Sequence, residues 1–69
     1  MKAIKVEVQN NECFKIAGFI EFLNDEEIFA YQTGSTEFIV VTTDRCNMTT
    51  AQACIVCRFN EDVEITNLK

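Results

Sequence analysis

Four cysteines, at positions 13, 46, 54 and 57, are the side chains here with the richest chemistry, and Cys54-Ile55-Val56-Cys57 has the two-residue gap of many metal and redox sites. Four thiolates can complete a tetrahedral zinc site. The spacing speaks against one, because a zinc ribbon sets a second such pair at a matched distance and Cys13 and Cys46 each stand alone. A redox dithiol needs a thiolate stabilised at a helix N-terminus, whereas Cys54 and Cys57 fall among apolar residues inside an expected helix. Three apart on one helix face, they read as small core hydrophobes. Cys46 lies beside Arg45 in a polar stretch and is the thiol expected to be most reactive. No metal or cofactor is expected, and a zinc module using Cys13, Cys46, Cys54 and Cys57 is the alternative.

Carboxylates come next. Eleven Asp and Glu face six Lys and Arg, with no histidine, giving a net charge of −5. Asp25, Glu26 and Glu27 are consecutive, so their side chains diverge, and no alternating calcium-loop pattern occurs. Catalytic serine motifs and Gly-rich phosphate loops are absent, and two glycines with no histidine leave little from which to build a catalytic cleft. An enzyme is not expected. Nor is direct nucleic-acid binding, since that affinity comes from clustered cations that release counterions, and Lys2, Lys5, Lys15, Arg45, Arg58 and Lys69 are scattered. Six Phe and Tyr31 could stack on bases, but stacking platforms come with a basic groove, so Phe14, Phe22, Phe29 and Phe38 are assigned to core or interface.

These residues are carried by one domain spanning 1–69, with 48% hydrophobic residues. A chain this short buries only about 60% of its unfolded surface, so a helper such as a second subunit is expected. Apolar runs of four or five residues and an N-terminus without a basic-then-apolar leader point to a cytoplasmic protein with no membrane partner. In a reducing compartment the cysteines stay unbridged, and the Asn47-Met48-Thr49 sequon carries no weight.

Polar clusters at 9–11, 24–26, 33–35, 44–47 and 60–62 divide the chain into six segments. Ile4, Val6 and Val8 alternate with Lys5 and Glu7, the signature of a half-buried strand. Over Cys13 to Leu23, Phe14, Ile16, Gly18, Ile20 and Phe22 alternate in the same way, so strand is preferred to a helix starting at Asn11. Ile28–Gln32 and Glu37–Thr43 flank Gly34 as a hairpin, and its second strand is apolar on both faces. Thr49 with Gln52 has capping-box spacing and introduces a short helix to about Arg58, preferred to a strand over Cys54–Phe59; Val63–Thr66 is the last strand.

The fold expected is α+β: an antiparallel meander of four to five strands with one short helix near the C-terminus packed on the sheet. A βαββαβ ferredoxin-like sandwich follows if the second segment is helical, and a small SH3-like barrel is the third arrangement. In the first two, Asp25, Glu26 and Glu27 share one end of the sheet with Asp44, an acidic pole suited to a basic protein surface. Phe38, Ile39, Val40 and Val41, apolar on both faces, point to self-association as a homo-oligomer, the simplest being a homodimer. The function expected is a non-enzymatic protein–protein interaction module, an adaptor or subunit. The alternative is an inhibitor, of a kind phages encode, that lays carboxylates over the basic site of a nucleic-acid-handling protein.

Overall fold

The computed structural model describes residues 2–59 and 63–68. The chain runs β1 (Lys2–Val8), a 3-10 helix (Asn10–Lys15) that continues into α1 (Ile16–Asp25), β2 (Phe29–Gln32), β3 (Glu37–Thr42), α2 (Arg45–Phe59) and β4 (Val63–Asn67). The four strands form one sheet in the order β2-β3-β1-β4, and every neighbouring pair is antiparallel. This is an α+β fold with the C-terminal helix packed on the sheet. Of the arrangements open to the sequence, it is the βαββαβ sandwich.

The second segment decides between them, and it is helical where strand was preferred. Ile16, Phe19 and Leu23 sit three and four residues apart and are each at most 1% exposed. That is the stripe a helix needs to cover a sheet. The alternation of Phe14, Ile16, Gly18, Ile20 and Phe22 is real in the sequence but unused: Phe14, Gly18 and Phe22 are exposed.

The second helix begins earlier than the Thr49–Gln52 spacing suggests. Asp44 caps it, its Oδ1 accepting from the Cys46 N–H at 2.8 Å and the Asn47 N–H at 3.4 Å. Thr49 lies inside the helix, donating its hydroxyl to the Arg45 carbonyl at 3.1 Å. Met48, Ala51, Ile55 and Phe59 form the buried stripe. The turn expected at 60–62 lies outside the described residues.

Both helices lie on the same side of the sheet. Their stripes meet Ile4, Val6, Val8, Ala30, Phe38 and Val40 in a single core. At its centre are three rings: Phe19 meets Phe59 at 5.5 Å and Phe38 at 5.8 Å, and Phe38 meets Phe59 at 6.1 Å. Edge-on and tilted contacts of this kind add to what burial alone contributes.

Candidate functional site: the uncovered face of the sheet

With both helices on one side, no described element covers the opposite face of the sheet. Strand alternation assigns its residues. On β1 these are Ala3, Lys5 and Glu7; on β3, Glu37, Ile39 and Val41; on β2, Phe29 and Tyr31; on β4, Glu64 and Thr66. Phe38 and Val40, between Ile39 and Val41 in sequence, point the other way and are fully buried in the core. The self-association set expected at 38–41 is therefore split: Phe38 and Val40 are internal packing, and only Ile39 and Val41 are available at the surface.

Register groups these side chains into rows across the strands. Phe29 pairs with Val41 and Val41 with Ala3; in the next row Tyr31 pairs with Ile39, Ile39 with Lys5 and Lys5 with Thr66. The result is an apolar patch over β2 and β3, centred on two aromatic rings 5.4 Å apart. Phe29 is 59% and Tyr31 43% exposed, which leaves both rings in water. Burial of such rings is among the largest contributions a surface can offer to association.

The third row is entirely acidic. Glu7 on β1 lies directly opposite Glu37 on β3 and Glu64 on β4. Like charges facing each other across a ladder destabilise it. Thr36 donates its hydroxyl to Glu7, and Thr33 donates its hydroxyl to Glu37 at 3.0 Å. Among the described residues the one ion pair in the molecule is Lys15 to Glu12, at 2.8 Å, on the 3-10 helix. Among the described residues no cation lies within salt-bridge distance of the row, although Lys5 stands on the same face.

Glu27 and Asp44 of the acidic pole line one open groove of about 390 Å³, together with Phe29, Val41 and Asn47. Asp25 ends α1 and Glu26 follows it, both exposed. Part of this pole has a structural occupation, since Asp44 is the cap of α2. Glu27 adopts a left-handed backbone, φ 64°, closing α1.

The thiols do not assemble. Among the described residues no group of three or more Cys, Asp or Glu side chains is placed to hold a metal ion. Cys46 sits in the first turn of α2, Cys54 and Cys57 lie roughly two and three turns further along it, and Cys13 is on the 3-10 helix. Cys54 packs against the core as expected, and so does Cys13. Cys57 does not: it is exposed, and with Cys54, Phe19, Phe22 and Arg58 lines a groove of about 300 Å³ between the helices. Phe14, Phe22 and Phe29 are likewise surface residues, at 76%, 39% and 59% exposure, so only Phe38 of the four named aromatics is core.

No described helix is long and apolar enough to cross a membrane. Comparison of the chain with protein-family models, with curated proteins and with solved structures finds no match to any of them.

The acidic row was hidden in the sequence. Glu7, Glu37 and Glu64 are far apart along the chain and become neighbours only through pairing of β1 with β3 and β4. A signal for the aromatic pair was present, since Phe29 and Tyr31 alternate with Ala30 on the hairpin's first strand.

Proposed function

We propose that this protein is a non-enzymatic protein–protein interaction module, an adaptor or subunit, that docks through the uncovered face of its sheet. The observation that carries the reading is the exposure of Phe29 and Tyr31 beside Ile39 and Val41 on a face that no described element covers. Isolated exposed apolar residues are ordinary, but a contiguous patch of two aromatics and two β-branched residues on one sheet face is the composition of an interface core. The absence of histidine from the chain supports a role without acid–base catalysis.

Photo-crosslinking in the native host tests it. A benzophenone amino acid replacing Tyr31 should give a discrete adduct, and the same group replacing Glu21, exposed on α1, should not. An adduct of twice 7.9 kDa identifies a second copy, and any other discrete mass a different partner. The adduct should vanish when Val41→Lys is added. No adduct from position 31 overturns the reading.

A further inference from the structure

We infer that the uncovered face takes a protein surface with an apolar centre bordered by Lys or Arg, in preference to a second copy of this chain. This rests on the reading of that face as a docking surface and adds the chemistry of the occupant. The apolar patch of Phe29, Tyr31, Ile39 and Val41 ends at the row of Glu37, Glu7 and Glu64, one register step away along β3 and β1. The row costs the isolated chain stability, because cross-strand like charges repel and, among the described residues, no cation lies within salt-bridge distance. A cationic border on a partner converts that repulsion into attraction.

A second copy fits less well. Among the described residues each copy brings three carboxylates, Glu7, Glu37 and Glu64, and one cation, Lys5, to this face, so two faces together hold six carboxylates against two lysines. The apolar rows would gain by pairing, but the excess carboxylates would be crowded and partly desolvated at the interface rim, where unpaired charge is unfavourable. The overall charge of −5 adds a general repulsion between copies.

Two helical peptides, each with a leucine stripe, one bordered by lysines and the other by glutamates, provide the probe. Titrated into the isotope-labelled protein, the lysine-bordered peptide should shift the backbone amides of Tyr31, Ile39, Val41, Glu7 and Glu37. The glutamate-bordered peptide should not bind. Replacing Glu7, Glu37 and Glu64 together by Gln should weaken the lysine peptide by roughly tenfold, as should salt that shortens the Debye length from about 10 Å to about 3 Å. Circular dichroism on that variant confirms that weakening is not unfolding. Equal binding of both peptides overturns the charge inference while leaving the docking surface intact. Binding of neither, or shifts confined to α1 and α2, overturns both, and a wild-type dimer that buries Tyr31 assigns the face to a second copy and overturns the occupant named here.

Discussion

The side-chain amide of Asn24, at the end of α1, pairs with both main-chain groups of Ala30, accepting from its N–H at 3.3 Å and donating to its carbonyl at 3.4 Å. Those two groups point away from β3, toward the open edge of the sheet. One side chain thus satisfies the middle of edge strand β2 and ties it to the helix before it. Exposed strand edges invite pairing with other chains, and covering them is a common remedy. Asn24→Ala should lower stability by about 1 kcal/mol, the usual net effect of losing partly buried hydrogen bonds. Urea unfolding checks this, and an unchanged midpoint would show that the contact contributes nothing.

Glu27 closes α1 in a geometry that normally selects glycine. The Ile28 N–H bonds back to the Leu23 carbonyl at 2.9 Å and the Glu27 N–H to the Asn24 carbonyl at 3.1 Å, while Ile28 and Leu23 are both buried. This is the Schellman arrangement, with Glu27 in the left-handed position at φ 64°. A side chain there crowds its own backbone. Glu27→Gly should therefore raise stability by roughly 0.5–1 kcal/mol, visible as an upward shift of a few degrees in Tm. A downward shift would mean that the glutamate carries an interaction outweighing its backbone cost.

The cap of α2 separates two readings of the same sequence. Capping-box spacing at Thr49 and Gln52 suggests a helix starting there, whereas Asp44 accepts the N–H groups of Cys46 and Asn47. Asp44→Ala should cost about 1 kcal/mol, within the usual range for a lost N-cap. Thr49→Ala should be close to neutral, because its hydroxyl only bonds back to the Arg45 carbonyl within the helix. Thermal unfolding of both variants tests the assignment, and a larger loss at Thr49 would reverse it.

Adjacent positions on β3 should respond very differently to truncation. Phe38 is fully buried and meets Phe19 and Phe59, so Phe38→Ala should cost about 3–5 kcal/mol, enough to unfold much of a domain this small. Ile39 lies on the uncovered face and is only half buried. Ile39→Ala should be several-fold milder in the same denaturant titration. Comparable losses would mean that a further layer covers the face even in the isolated chain.

The sequence was most readable where one periodicity dominated. The alternation of Ile4, Val6 and Val8 defines β1, and Gly34 between apolar runs locates the β2–β3 hairpin. The segment from 13 to 23 satisfies both periods, because Ile16, Phe19, Ile20 and Leu23 make a helical stripe while Phe14, Ile16, Gly18, Ile20 and Phe22 alternate. Tertiary packing resolved that tie in favour of helix: a stripe three to four residues wide covers the sheet. The double-sided apolarity of β3 divides in the fold, since Phe38 and Val40 build the core and Ile39 and Val41 lie on the other face. The acidic row was illegible because it exists only through register: Glu7, Glu37 and Glu64 belong to three separate segments.

That row should show a conflict between stability and binding at Glu7, the central member, which faces Glu37 on one side and Glu64 on the other. Gln keeps the shape of Glu and an oxygen to accept the Thr36 hydroxyl, while removing both repulsions. Each cross-strand pair is worth a few tenths of a kcal/mol, so Glu7→Gln should stabilise the isolated protein by roughly 0.5 kcal/mol at low salt. The gain should shrink as salt is added, because screening already weakens the repulsion in the parent. The same substitution should loosen the hold on a lysine-bordered partner. Urea unfolding at two ionic strengths, followed by peptide titration of the same preparation, reads both effects. A Glu7→Gln variant that is less stable than the parent would show the row to be a structural network rather than a charge held for a partner.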